Sequence, residues 1–439
     1  MFFWENFDLL MPIVYNIPMP TPLYADSNGR VFDLPGHAAL GLSGGDLVPI
    51  PEQDLAPLPS GSQLFVIRKG ILVAERHGAT VYLEKLGGKR IFPVAAFMPA
   101  GWTRTLLPGY IEKSERPILP LWSYTAVAWH KGRICGAAVL VAKNPKADPE
   151  LHSPEQDKQL IKLVEQRLKT SPNNRLLAQL ARCALEYHCF AAKNLFYSRW
   201  ELPLPTSPSC NSRCLGCLSL QQGECCPSQE RITFVPRPEE IAEIAVPHLI
   251  KAPTPIASFG QGCEGEPLLQ YRTIERAIRL IRERTDRGTI NLNTNGFSPE
   301  RIRVLARAGL QAVRISLNSS LRKCYDAYYR PVGYRYADVV KSIKTAKELG
   351  LYTNVNLLVF PGYTDREEEA EGLVKLFSKC GVEVVQMRNL SIDPWWYIRR
   401  IPKPKGGSLG ISNLIGLFKR EVAEVRIDYF NNPAPKRKG

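Results

Sequence analysis

The sequence predicts an α/β protein: a partial (β/α)6 barrel of the TIM type over residues 201–395, preceded by a mostly β domain (1–150) and a helical linker (151–200), and followed by a basic C-terminal extension (396–439). Three observations predict it. Beyond residue 200 short apolar runs alternate with amphipathic helical stretches, each unusual motif falls just after an apolar run, and 439 residues exceed what one hydrophobic core organises. Repeated strand-helix units imply parallel strands joined by right-handed crossovers, which put the loops after the strands on one face.

The opening stretch is rich in Pro and Gly with little periodicity, and reads as extended or loop-rich chain. Its apolar start, MFFWENFDLLMPIV, carries Glu5 and Asp8 without a basic leader, so it does not read as a secretory signal. Strand signals follow in SQLFVIR, ILVAER and ATVYLEKL, with a hairpin YTAVAWHKGRICGAAVLVA turning at HKGR. This region shows no chemical constellation; His77 and His130 are isolated and read as structural or surface residues. From residue 154 the pattern is helical, with Ser153 as N-cap and Pro154 at the first helical position, and then the stretch 173–196, in which Cys183 and Cys189 read as small core residues.

The strand candidates of the second half are IASFG (256–260), TINLNT (289–294), AVRISLN (312–318), TNVNLLVF (353–360) and VEVVQMRNLSI (382–392). With the segment that ends at the cysteines they make six. The helices between them have legible ends: Ser298, Pro299 and Gly309 bound one, Gly350 stops the next, and Asp365 and Gly381 bound a third.

Hydrophobic content of 44% and charged content of 23% are those of an ordinary soluble protein, and no apolar run reaches the roughly 20 residues of a membrane-spanning helix. A cytoplasmic location is expected, in which the 11 cysteines serve as thiols, metal ligands or redox groups. The formal charge of +15 favours acidic or phosphate-bearing partners, yet dense clusters occur only in RRIPKPK and the tail PKRKG, so a solvated basic surface fits equally.

Each unusual motif falls just after one of the first five strands: CNSRCLGC, GQGCEGEP, NTNG, SLNSS and FPGYTD in turn. In a parallel barrel these converge on one mouth. Three thiols at Cys210, Cys214 and Cys217 are one short of a closed zinc site, which Cys225 or Cys226 could complete.

The residues resemble the radical S-adenosylmethionine (radical SAM) enzymes, which carry Cys-x3-Cys-x2-Cys after the first barrel strand, as Cys210, Cys214 and Cys217 do here. The resemblance covers about residues 200 to 395 and leaves the N-terminal domain without a role. It implies a [4Fe-4S] cluster on the three cysteines, S-adenosylmethionine on the open iron, and reductive cleavage to a 5′-deoxyadenosyl radical that takes hydrogen from a substrate. GEP resembles the family's Gly-Gly-Glu turn, which implies Gly265 and Glu266 at the cofactor amino group. ISLN implies Ser316 and Asn318 on the ribose, TNG places Asn293 and Asn295 at the same mouth, and Val359 and Phe360 are the adenine candidates. Two departures stand out: the family's glycine-isoleucine pattern is not matched on the fifth strand, and Gly216 replaces the usual aromatic residue before the third cysteine.

Other readings stay beside these. Glu266 also suits a helix cap, and Ser316 and Asn318 also suit a closed turn. Cys263 and Cys324 follow strands and are substrate-side candidates or inert packing, as Arg388 is a candidate for a carboxylate or the substrate. DPWWYIRRIPKPK suits a nucleic-acid or peptide clamp or a packing edge. The resemblance implies reduced flavodoxin or ferredoxin as electron donor. The extra domain and basic charge lean towards RNA or protein as substrate. The alternatives are a non-catalytic zinc or iron-sulfur module, and an RNA-binding protein with a structural metal.

Overall fold

The computed structural model describes residues 19–112, 118–119, 121–152, 154–220 and 227–435. The apolar opening stretch, the Ser153 cap, Cys225 with Cys226, and the tail after Pro435 lie outside the described residues.

Among the described residues, two larger antiparallel sheets and a two-stranded ribbon, Lys85–Leu86 with Lys89–Arg90, make up the first part of the chain. One runs in the order Trp102–Arg104, Arg133–Leu140, Tyr124–His130, Thr21–Ala25, Phe92–Phe97, Gln63–Val66, and the other is built around Ala38–Ser43 and Gly70–Arg76. In the expected hairpin His130 pairs with Arg133, leaving Lys131 and Gly132 as the turn with φ of 49° and 78°. Positive φ at both positions gives the turn whose twist matches the flanking strands. The helical stretch that follows is three helices, Pro154–Thr170, Arg175–Leu185 and Phe190–Phe196, the last two separated where His188 takes φ 49°.

From residue 201 the chain forms one parallel sheet in sequential strand order: β1 (Glu201–Pro203), β2 (Ile256–Phe259), β3 (Thr289–Thr294), β4 (Ala312–Leu317), β5 (Tyr352–Val359), β6 (Val384–Asn389) and β7 (Arg426–Asp428). Helices α1 (Pro238–Lys251), α2 (Tyr271–Arg282), α3 (Pro299–Ala308), α4 (Arg322–Tyr329), α5 (Tyr336–Glu348) and α6 (Glu367–Cys380) connect the strands. Ser298 caps α3 by accepting the Arg301 N–H, and Gly309 ends it with φ 116°. Asp365, expected to open α6, stands one residue before the cap Arg366; its carboxylate accepts the N–H groups of Gly362 and Gly410 and the Ser408 hydroxyl.

The extension returns a seventh strand to the sheet, and after it Asn431 donates to Glu201 on β1 at 2.7 Å. The three-residue strand RID has no apolar alternation to announce it.

Two faces of the sheet differ. Ile290, Leu292, Val313, Ile315, Leu317, Val355, Leu357 and Val359 belong to the large apolar core. Their alternate neighbours Asn291, Asn293, Arg314, Asn356 and Gln386, which are buried, and the half-buried Ser316 bond among themselves and to Asn431, so the lumen is polar.

The N-terminal sheets dock on the end of β6. The Thr103 hydroxyl donates to Met387 O at 2.7 Å, Arg104 N–H to Asn389 Oδ1 at 2.9 Å, and the fully buried Arg104 guanidinium to Leu390 O at 2.5 Å. Among the described residues no helix is long and apolar enough to cross a membrane.

Candidate functional site

The loop after β1 carries the three cysteines and is fastened on both sides. Gly265 N–H donates to Ser207 O at 2.7 Å and Glu266 N–H to Ser209 O at 2.8 Å. Arg213 and Leu215 N–H donate to Tyr329 O and Tyr328 O at the end of α4. The approach at Gly265 is too close for any side chain, since a Cβ there would lie 1.9 Å from Ser209 O. Small size is therefore required by the neighbouring backbone.

Two buried carboxylates order the loops. One oxygen of Glu264 accepts Thr206 and Ser207 N–H at 2.8 and 2.9 Å, and the other accepts Gly260 and Gln261 N–H at 2.6 and 3.1 Å. Glu266 accepts the Thr294 hydroxyl at 2.5 Å, Asn295 N–H at 2.8 Å and Leu268 N–H at 3.0 Å. Burial pushes both carboxyls up to about 7 against these donors. Glu266 thus caps the turn Pro267–Gln270, as one reading of the sequence had it, and still faces the cavity.

A cavity of about 240 Å³ opens at the ends of these strands. Cys210, Cys214 and Cys217 lie on its wall together with Gly265, Glu266, Asn293, Asn295 and Ser316. Asn293 is held by its donation to Phe259 O, Asn295 by its donations to Asn211 and Ser212, and the Ser316 hydroxyl accepts from Asn356 at 3.3 Å. Burial pushes the Cys210 thiol up to about 11 and Cys214 well above its ordinary range, each helped by neighbouring negative groups. Thiols in such surroundings ionise only when a cation takes the place of the proton. The Arg231 guanidinium, 3.6 Å from the Cys217 sulfur, adds positive charge on that side.

Among the described residues no three His, Cys, Asp or Glu side chains are grouped to hold a single metal ion. Thiols spread along one wall suit a polynuclear cluster, whose thiolate ligands bind different irons. The donor set, the side-chain-free approach at Gly265 and the polar strand ends fit an iron-sulfur cluster with a polar organic cofactor beside it.

Four other positions differ from expectation. Asn318 does not line the cavity; its amide donates to Cys324 O at 3.2 Å and closes the turn into α4. Val359 points to the helix side of β5, and its alternate neighbour Leu358 is the residue on the cavity wall. Phe360 is fully buried and stacks on Tyr397 at 4.3 Å, which makes DPWWYIRR at that point a packing edge. At Gly216 a Cβ would meet the Tyr328 hydroxyl at 3.1 Å and Ile392 at 3.3 Å, so Tyr328 takes the room that an aromatic residue at 216 would need.

The substrate-side candidates are also elsewhere. Cys263 is buried with its thiol against Cys183 of the linker helix. Cys324 is 3.2 Å from Pro402 O, and Arg388 donates to Tyr429 O at 2.9 Å with its guanidinium over the Tyr429 ring. None of the three lines the cavity. Sequence reasoning missed Glu264, Arg231, Arg314, Tyr328 and Tyr329. Only Arg314 had a signal, as a charge inside an apolar strand in phase with Ser316.

Comparison with known proteins follows this geometry. The family model described as "Radical SAM superfamily" matches residues 204–374. Over 188 residues the chain is 30% identical to the GTP 3',8-cyclase of Aquifex aeolicus (strain VF5), a match covering 41% of this chain and 53% of that one. Over 195 residues it is 28% identical to GTP 3',8-cyclase 2 of Mycobacterium tuberculosis (strain ATCC 25618 / H37Rv), covering 44% and 51%. The chain therefore spans about half the length of these relatives. A solved structure of the FeFe-hydrogenase maturase HydG from Carboxydothermus hydrogenoformans aligns with a TM-score of 0.37 and 13% identity, over 63% of this chain and 70% of that one.

Proposed function

Because the chain belongs to the radical SAM superfamily, we propose that it is an enzyme that takes a hydrogen atom from a substrate held at the mouth of its barrel. Its cofactors are a [4Fe-4S] cluster and S-adenosylmethionine. When bound, they supply a 5′-deoxyadenosyl radical by reductive cleavage of S-adenosylmethionine. The observation that carries the reading is that Cys210, Cys214 and Cys217 share one cavity wall with Gly265, Glu266, Asn293, Asn295 and Ser316.

In this reading each residue has a task that its surroundings support. The three cysteines hold the cluster. Gly265 lets the backbone that carries Cys210 approach closely, and Glu266 offers negative charge to an amino group while pinning Asn295. Asn293, Asn295 and Ser316 supply polar contacts for cofactor hydroxyls. Tyr328, where residue 216 is glycine, offers the aromatic surface. Arg231 beside Cys217 offsets negative charge. Reduced flavodoxin or ferredoxin is the electron donor in this reading. The N-terminal body and the net charge of +15 favour a macromolecular substrate, RNA or protein.

The test is anaerobic reconstitution, reduction with dithionite and detection of 5′-deoxyadenosine. Wild type with about four irons per chain should form it, and Cys214→Ala should not. Equal absence from both proteins would overturn the reading, and a zinc-loaded or uncleaving cluster protein would be left as a binding module.

A further inference from the structure

Arg314 is a buried cation with no carboxylate hydrogen-bonded to it among the described residues. It is 8% exposed and lies on the cavity wall. One terminal nitrogen donates to two neutral amides, Gln386 Oε1 at 3.2 Å and Asn431 Oδ1 at 3.4 Å, and its Nε is buried with no acceptor among the described residues. The carboxylate that acts on it, Glu201, is not hydrogen-bonded to it among the described residues; the Glu201 Oε1 accepts from Ser258 at 2.6 Å, Asn431 at 2.7 Å and Gln261 at 3.3 Å. Arg388 adds a second positive charge nearby, itself held by a carbonyl and an aromatic ring. An uncompensated buried guanidinium is costly, and a fork of free N–H groups is shaped for a carboxylate or phosphate.

A second orphan lies close by. Asn356, on the strand next to Arg314, bonds Ser316 through Nδ2, while its buried Oδ1 has no partner among the described residues. It needs a donor. Arg314 is also two residues below Ser316 on β4, about 6.6 Å deeper in the lumen. A group that reaches it lies below the loops proposed to hold the cofactor.

We propose that Arg314, with Arg388 adding charge behind it and Asn356 offering an acceptor, is the receptor for an oxyanion of the substrate, a carboxylate or monophosphate with an O–H or N–H group beside it. This rests on the radical SAM reading for the identity of the neighbouring cofactor.

Inorganic phosphate, which carries an O–H group near neutral pH, is the probe, with sulfate as the comparison that lacks one. Binding is measured calorimetrically on the full reconstituted chain, with and without saturating S-adenosylmethionine. Phosphate should bind at one site with the same affinity in both conditions and more tightly than sulfate. Arg314→Gln should weaken it about tenfold or more, and Arg314→Lys, which keeps the charge but not the fork, about fivefold; both should leave affinity for S-adenosylmethionine within about twofold.

Competition by S-adenosylmethionine, but not by its decarboxylated form, would assign the guanidinium to the cofactor carboxylate and overturn the proposal. So would undiminished phosphate binding by the variants. Should Arg314→Gln fail to fold, Arg314→Lys and the wild-type competition decide. Formation of 5′-deoxyadenosine is assayed in parallel. Cleavage without phosphate binding sinks the receptor alone, and phosphate binding without cleavage sinks the catalytic reading alone.

Discussion

The Glu266 carboxylate, in the loop after β2, accepts the backbone N–H of Asn295, in the loop after β3, at 2.8 Å. Glu264, two residues earlier, does the same for the loop after β1 through Thr206 and Ser207. Loops that carry the cavity wall are thereby one mechanical unit. Disturbing either carboxylate should be felt at the cysteines.

Glu264→Gln replaces two acceptor oxygens with one and turns an N–H group towards backbone donors. At least one buried donor pair loses its acceptor, at a cost of about 2 to 4 kcal/mol. Denaturant unfolding should show a lower midpoint with an unchanged slope, and iron uptake on reconstitution should fall. An unchanged midpoint would mean that the loops are held elsewhere.

Gly265→Ala puts a methyl group 1.9 Å from Ser209 O and 3.1 Å from Cys210 N, both backbone atoms that cannot swing aside. The cysteine loop must move, at about 1 to 3 kcal/mol, and reconstituted iron per chain should drop sharply. Gly262→Ala is the control, because its methyl meets the far end of the Gln229 side chain at 2.7 Å. Iron content separates the two variants.

Glu369 on α6 is buried and receives Ser320 N–H and the Ser319 hydroxyl, and burial pushes its carboxyl from 4.5 up to about 7. A folded pKa above the unfolded one means that the native state binds the proton more tightly. Its contribution is complete below about pH 4.5 and is lost as pH rises through about 7, an effect on the order of 3 kcal/mol. The melting temperature of wild type should fall between pH 5 and 8 more steeply than that of Glu369→Gln. Parallel profiles would refute the assignment.

The Arg104 guanidinium, fully buried over Trp122, joins the two halves of the chain by donating to Leu390 O and is steadied in its own sheet by donating to Tyr124 O. Arg104→Ala leaves a buried cavity and removes the guanidinium's hydrogen bonds to Leu390 O and Tyr124 O, so unfolding free energy should fall by about 3 kcal/mol or more. Arg104→Met fills most of the volume without a charge and should cost less. Chemical denaturation ranks the three proteins.

Much of the site was legible because its chemistry is local. Cys210, Cys214 and Cys217 are neighbours in sequence, and Gly265, Glu266, Asn293, Asn295 and Ser316 each follow or end a strand whose apolar run is plain. Val359 was misplaced although its phase was available: strand period two puts it with Val355 and Leu357, away from Leu358. The polar lumen was likewise written in the alternation of TINLNT and YTNVNLLV, which differs from the continuous apolar runs usual in parallel sheets.

The sequence by itself determined the strand-helix order, the loops that carry polar residues and the triplet of thiols, since periodicity, caps and spacing are properties of short stretches. Only the tertiary structure decided who stands opposite whom. Tyr328 fills the room beside Gly216, Cys263 turns to Cys183, and Asn431 reaches back 230 residues to Glu201. It also left Arg314 Nε buried with no acceptor among the described residues. Whether a buried charge or amide is satisfied depends on atoms from distant parts of the chain meeting within hydrogen-bond distance, and no local pattern encodes that.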